Sequence, residues 1–253
     1  MTAGAASSGI FLGSEAAASD PITSIPGMLF WNDPAATYLM KDGAELVSSF
    51  TERFGGHIWT ASGTERPEYE ANAINGQPGL RVVGAQKMDC IDGLAELLNV
   101  SQPYTFVSIA QWDATNDTQV VLGCGDQGAG FDLNLHYVQL NGSPLSIQYL
   151  RGDGGNTANN TTVPVGSAPV QQAWIYDGTA ASFRIQDTPV AGGGNTRVPV
   201  CDLATLFSRK ASGVYGAYAK GVFCESFAWD HELTAPEWDT VNARNLAKYG
   251  VPP

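Results

Sequence analysis

From residue 104 to residue 229 the sequence is a succession of short runs, either continuously apolar or alternating between apolar and polar, punctuated by Gly, Asn, Asp or Pro. Residues 104–112, 119–122, 131–140, 145–151, 170–176, 182–186, 214–218 and 222–229 have this form. Asn141-Gly142 and Asp177-Gly178 are hairpin-turn dipeptides between them. Side chains in such runs repeat every second residue, which is a strand period. No helical period intervenes, so a parallel sheet built from strand–helix–strand units is excluded and an antiparallel β-sandwich is expected. Upstream, residues 28–31, 66–69 and 79–83 read as further strands, with Asn75-Gly76 as a turn. Residues 44–54 are ambiguous between a helical turn and an irregular connector, and residues 91–98 predict a short surface helix.

The strands give way to one well-marked helix. Thr234-Ala-Pro-Glu237 has the capping-box form, in which a hydroxyl and a carboxylate satisfy the free N–H groups of a helix start. Pro236 suits the first turn, where its missing donor is not needed. Trp238, Val241, Leu246 and Tyr249 share a stripe, predicting that Trp238 and Leu246 pack against the sandwich. Glu237 and Asp239 lead while Arg244 and Lys248 trail, complementing the helix dipole, and Gly250 with Pro252 ends the helix.

Composition narrows the function classes. The chain has 253 residues with 29 Gly and 14 Pro, and only 15% are charged, which suits many strands and tight turns. A formal charge of −12 opposes binding to nucleic-acid phosphates. No run is apolar and long enough for a membrane span. No Lys or Arg precedes Lys41 and no apolar core region follows, so a Sec-type signal peptide is not expected. Residues 1–25 are rich in Ala, Ser and Gly, with Ile10, Phe11 and Leu12 as the one apolar knot. Such a segment buries too little surface to order itself and is expected to be an anchoring arm held by a neighbouring subunit. The domain proper is then expected over 26–253. Cys90, Cys124, Cys201 and Cys224 form no CxxC pair and read as buried thiols.

Chemistry-bearing patterns are sparse. Gly123-Cys-Gly-Asp-Gln-Gly128 matches G-x-G-x-x-G, but a strand follows where a phosphate site needs a helix. Glycosidases need two carboxylates about 5–10 Å apart on one face. Glu225 and Asp230 differ in strand parity, so Glu225 reads as a structural or hydrogen-bonding carboxylate and no catalytic residue is expected. His57, His136 and His231 form no metal-binding pair by spacing, so no zinc site is expected. Oxygen-rich loops around Asp113, Asn116, Asp117, Asp126, Asp153 and Asn156 leave Ca²⁺ open without an EF-hand spacing. Alternation turns Asp132, Asn134 and His136, Gln148, and Arg184 with Gln186 outward from their strands. If those strands share a sheet, its polar face is the candidate carbohydrate-binding surface, although any solvated sheet face has the same composition.

Several stretches carry a family likeness. Pro26-Gly-Met-Leu-Phe-Trp31, Arg66-Pro67 with Asn72-Ala-Ile-Asn-Gly-Gln-Pro78, the Tyr176-Asp-Gly-Thr179 hairpin, and the run from Glu225 through Leu233-Thr-Ala-Pro-Glu237 to Lys248-Tyr-Gly250 are its carriers. Together they resemble the concanavalin A-like lectin/glucanase superfamily, and within it the laminin-G-like jelly-roll modules of bacterial and bacteriophage proteins. The chain departs from that pattern at Val83-Gly84, where the family has "FDG", and in its N-terminal arm. The resemblance implies a two-sheet antiparallel jelly roll with one C-terminal helix. It leaves function open, since such modules bind glycans, bind proteins or plug surfaces. The missing Sec-type signal and the small-residue arm make a non-catalytic structural or adhesion protein of a larger assembly the expectation. A bacteriophage virion is the expected setting, as capsid decoration, head-fibre or tail protein, with oligomerisation in the particle, no cofactor, and other subunits and a host-surface glycan as partners. The alternatives are a secreted, extracellular carbohydrate-binding module and a glycoside hydrolase of the same fold.

Overall fold

The structure is a computed structural model and describes residues 20–92, 102–113, 118–125, 133–139, 146–151, 156–162, 168–194, 202–211 and 214–252. Its strands run β1 (Met28–Asn32), β2 (Leu39–Lys41), β3 (Val47–Thr51), β4 (Ile58–Thr60), β5 (Glu68–Ile74), β6 (Gln77–Val83), β7 (Met88–Cys90) and β8 (Tyr104–Trp112). They continue as β9 (Thr118–Gly125), β10 (Leu133–Gln139), β11 (Ser146–Arg151), β12 (Asn156–Thr162), β13 (Val170–Tyr176), β14 (Ala180–Ile185) and β15 (Thr188–Gly194). β16 (Leu203–Leu206), β17 (Arg209–Ala211), β18 (Val214–Gly216) and β19 (Lys220–Trp229) lead to helix α1 (Ala235–Tyr249).

Two large antiparallel sheets form the sandwich, as expected. The first has the order β15-β14-β13-β8-β19-β6-β5, with β1 paired to the C-terminal half of β19. The second has the order β12-β11-β10-β9-β16-β7-β4-β3-β2, and β17-β18 form a small hairpin. Between the sheets lies an aromatic-rich core in which Phe30, Trp59, Tyr104, Phe106, Trp112, Trp174, Tyr176 and Phe223 are buried. The rings of Phe106 and Trp174 sit 5.4 Å apart, and Trp112 meets Phe223 edge-on at 5.2 Å. Trp112, Trp174 and Tyr176 are therefore core residues and do not face a ligand.

A third layer covers the other face of the first sheet. Val107 of β8, Ala173 and Ile175 of β13, and Phe227 and Trp229 of β19 pack there against Trp238 and Val241 of α1. This explains why β8, β13 and β19 read as almost continuous apolar runs, since both of their faces are buried. Ile22 and Ile25 join the same layer from a short 3-10 turn, Pro21–Ser24. Residues 20–25, placed with the arm on composition, thus pack into the body. Ile10, Phe11 and Leu12 lie outside the described residues.

Three expectations need correction. Residues 44–54 contain a strand, β3, with Val47 and Phe50 both buried. Met40 pairs with Ser49 but Lys41 pairs with Val47, so a bulge at Ser48 gives two inward side chains a helix-like spacing. Leu246 is 46% exposed, at the flank of the helix stripe, and Asn242, Arg244 and Asn245 are buried in its stead. They are buried because the sheet face beneath presents polar partners. Asn245 donates to Gln171 Oε1 at 2.7 Å, and Gln171 donates to Asn242 Oδ1 at 2.8 Å. Finally, β10 and β11 belong to the second sheet while β14 belongs to the first, so the candidate polar residues do not share a sheet. Alternation fixes the face of a strand but carries no information about its partners. The expected helix over 91–98 falls largely outside the described residues.

The helix termini follow the sequence. Thr234 and Glu237 make the capping box, with Thr234 N–H donating to Glu237 Oε2 at 2.7 Å, and Gly250 closes the helix at φ 67°. Burial pushes the Glu237 carboxyl up, but the Thr234 bonds outweigh it and hold it below the usual range.

Candidate functional site

An open cleft of about 400 Å³ lies where β6, β9, β17 and the start of β19 converge. It is lined by Gly84, Thr118, Arg209, Ala217, Tyr218 and Lys220. Its size falls within the range of small-molecule sites, about 300–1,000 Å³. Among the described residues, the lining contains a guanidinium, an ammonium, a phenol and a hydroxyl. Arg209 and Lys220 thus bring two cationic side chains together on a chain with a formal charge of −12.

The walls are fixed by the backbone. Val120 N–H donates to Ala217 O at 2.9 Å, and Ala219 N–H to Phe207 O at 2.8 Å. Lys220 N–H donates to the side-chain oxygen of Gln119, which is fully buried. Gly84 has φ 106°, and a methyl group there would stand 2.6 Å from Lys220 Cε, so glycine leaves room for the lysine stem. Thr118 is paired with Gln139, which places the cleft beside one end of β10.

Arg209 is held through its hairpin. On β18, Tyr215 pairs with Lys210 of β17, and its hydroxyl donates to Asp89 Oδ2 at 2.6 Å. Lys87 bonds the same oxygen at 2.7 Å and lies 3.9 Å from the Tyr215 ring. Burial, then the Asp89 carboxylate, pushes the Tyr215 hydroxyl up to about 12. The Tyr215 hydroxyl therefore stays protonated and keeps donating at ordinary pH. Burial alone would lower the Lys87 ammonium, but Asp89 and Glu65 outweigh it and raise it.

Glu225 is a structural carboxylate, as its parity suggested. Register shifts between Phe223 and Ser226 in the β19–β8 pairing, so Phe223 faces the inter-sheet core while Phe227 faces the helix layer. The bulge carries Glu225 to the helix side, where Lys248 Nζ lies at 2.6 Å and Arg244 binds both oxygens, Nη2 at 3.1 Å. Trp31 Nε1 donates to it at 3.3 Å. The side chain is fully buried, so Glu225 does not line an open groove.

The remaining candidates are dispersed. Asn134 and His136 lie on β10 and Gln148 on the neighbouring β11, with Tyr137 opposite Gln148. Asp132 lies outside the described residues, as do Asn116, Asp117, Asp126, Asp153 and Cys201. Arg184, on β14, is 4.5 Å from the Trp238 ring and bonded to Asp187 at 3.0 Å, so the helix layer engages it. Gln186 sits in the turn after β14 with φ 56°. Asp113 is ion-paired with Arg81 at 3.2 Å. Cys90, Cys124 and Cys224 are buried. No described helix is long and apolar enough to cross a membrane.

The sequence matches no protein-family model and no curated relative. Solved structures do resemble the fold. A sialidase of Trypanosoma rangeli in complex with 2,3-difluorosialic acid superposes with a TM-score of 0.60 at 14% identity, over 85% of this chain and 33% of that one. The CBM40 module of Ruminococcus gnavus IT-sialidase, bound to alpha2,3 sialyllactose, gives 0.54 at 16% identity, over 65% of this chain and 96% of the module. A K499G mutant of NanB sialidase from Streptococcus pneumoniae gives 0.52 at 15% identity, over 65% and 27%. The chain spans about a third of the length of the T. rangeli enzyme. The likeness is one of fold: a lectin-like β-sandwich.

Proposed function

We propose that the chain is a non-catalytic, glycan-binding module of the laminin-G-like jelly-roll type, and that the Arg209–Tyr218–Lys220 cleft takes an acidic sugar. The observation that carries this is the meeting of Arg209, Lys220 and the Tyr218 phenol in one open cleft on a strongly acidic chain. Guanidinium matches a carboxylate in a two-pronged bond, and an aromatic ring packs on the apolar face of a pyranose. Both sialic acid derivatives held by the T. rangeli and R. gnavus structures are carboxylated sugars, which agrees with this chemistry. The burial of Glu225 under Arg244 and Lys248 supports the non-catalytic reading.

The experiment is calorimetric titration with α2,3-sialyllactose and with lactose, backed by a broad glycan array. The acidic sugar is expected to bind and lactose to bind more weakly. Arg209→Ala, at an exposed position, is expected to weaken acidic-sugar binding about tenfold or more, as loss of a charge-assisted hydrogen bond does. Equal affinity for lactose, or no array binding at all, sinks the reading.

We further propose that the chain is a subunit of a larger assembly, a bacteriophage particle, anchored by its first residues. Its support is compositional: Ile10, Phe11 and Leu12 are the apolar knot of an otherwise small-residue segment. Protease protection of that segment in the particle, with cleavage in the free chain, is the expected outcome.

A further inference from the structure

Three potential metal ligands from separate parts of the sequence meet at one edge of the second sheet. His57 stands just before β4, Cys90 ends β7, and Asp92 follows it by two residues. β4 and β7 are neighbours, with Thr60 opposite Asp89. His57 Nδ1 lies 2.8 Å from Asp92 Oδ1, and Cys90 Sγ donates to the same oxygen at 2.8 Å. All three candidate ligand atoms fall within 4.8 Å of one another.

The supporting shell is already built. Ile58 N–H donates to Asp92 Oδ2 at 2.8 Å, which leaves Oδ1 turned toward the histidine and the thiol. Behind it, the buried carboxylate of Glu52 accepts from the N–H groups of Trp31 and Phe54, both at 2.8 Å, and of His57 at 3.2 Å. Glu52 thereby fixes residues 52–57 and the place of His57. Outer contacts of this kind orient metal ligands and are as much part of a site as the ligands themselves. Cys90 is buried, while the side chains of His57 and Asp92 are 16% and 39% exposed, which gives an ion a way in.

We propose that His57 Nδ1, Cys90 Sγ and Asp92 Oδ1 bind one divalent transition-metal ion of the zinc class, with a fourth position open to water. One nitrogen, one sulfur and one oxygen suit a borderline-soft tetrahedral cation, whereas Ca²⁺ and Mg²⁺ take oxygen ligands. On binding, the Cys90 S–H bond breaks, the proton leaves to solvent, and the sulfur electron pair forms the bond to the metal. Neutral His57 supplies a ring lone pair and Asp92 a carboxylate oxygen. Burial and the Asp92 bond push the free thiol up to about 12, so without a cation Cys90 remains protonated and unreactive.

The test is titration of the chelator-treated full chain with Co²⁺, read by absorption. The expected result is a thiolate-to-cobalt charge-transfer band with intense visible bands of tetrahedral cobalt, saturating at one equivalent. Zn²⁺ is expected to displace them, and excess Ca²⁺ to leave them unchanged. Cys90→Ser is expected to abolish the charge-transfer band. Asp92→Asn changes a part-exposed carboxylate and keeps the far-ultraviolet dichroism. It is expected to weaken Co²⁺ binding by more than the about 10- to 100-fold that loss of an outer partner costs. Absence of the bands at stoichiometric Co²⁺, their survival in Cys90→Ser, or wild-type affinity in a folded Asp92→Asn protein overturns the proposal.

Discussion

Arg244→Met is expected to destabilise the fold by about 3–5 kcal/mol, because it leaves a buried carboxylate short of its main counter-charge. Arg244 is 4% exposed and Glu225 is fully buried. The same guanidinium also bonds Asp20, with Nη2 to Oδ2 at 2.9 Å. One side chain therefore joins the entry turn, the central strand β19 and the helix. The double variant Glu225→Gln/Arg244→Met is expected to cost less than the sum of the single changes, since both members of the pair are then neutral. Urea unfolding of the wild type and the three variants measures the coupling. A single-variant loss below about 1 kcal/mol refutes this role for Arg244.

The pair also sets an acid limit. Burial raises the Glu225 carboxyl, but Arg244 and then Lys248 outweigh it, and the group titrates below its ordinary value. A depressed carboxylate stabilises the fold above its unfolded pKa, about 4.3. That contribution is lost as pH falls through the folded value. Glu225→Gln is therefore expected to flatten the acid limb of a stability-against-pH curve below about pH 4.3, and an unchanged limb counts against it.

Gly221→Ala is expected to cost about 3–5 kcal/mol by a different route, combining backbone strain with overpacking. Gly221 has φ 148°, a region L side chains rarely occupy, and an added methyl carbon would stand 2.3 Å from Gln111 O. The obstacle is the backbone of β8, the strand paired to β19 on both sides of its bulge, and backbone cannot rotate aside. Gly216→Ala, where nothing lies within 4 Å, is the matched control and is expected to be near neutral. Equal unfolding midpoints for the two variants rule out this account.

Legibility in the sequence followed the range of each interaction. The capping box at Thr234 and Glu237, the Asn75-Gly76 turn, and strands β8 and β13 depend on neighbours in sequence, and they were readable residue by residue. β3 was obscured because its bulge put Val47 and Phe50 three residues apart. Arg244 and Lys248 read as charges that complement the helix dipole. Their bonds to Glu225 depend on a bulge in β19 that no local pattern announces. The cleft draws Gly84, Thr118, Arg209 and Lys220 from four separate segments, so no spacing rule joins them. The same holds for His57 and Cys90, which paired-histidine spacing passes over.

The meeting of β1 with β19, and of Asp20 with Arg244, has a consequence for how the molecule is made. The sheet centre joins residues about 200 positions apart: Asn32 opposes Ser226, and the two side chains share a hydrogen bond of 3.0 Å with a separation of 194 residues. Contacts this remote in sequence require long loops to close before they repay the ordering, so folding is slow relative to local helical folds. On the ribosome, β8 and β13 emerge well before β19 and α1 exist to cover them. The nascent chain thus carries β8 with the edge that β19 will fill still open, and the sheet face that α1 will cover still bare, a state prone to aggregation.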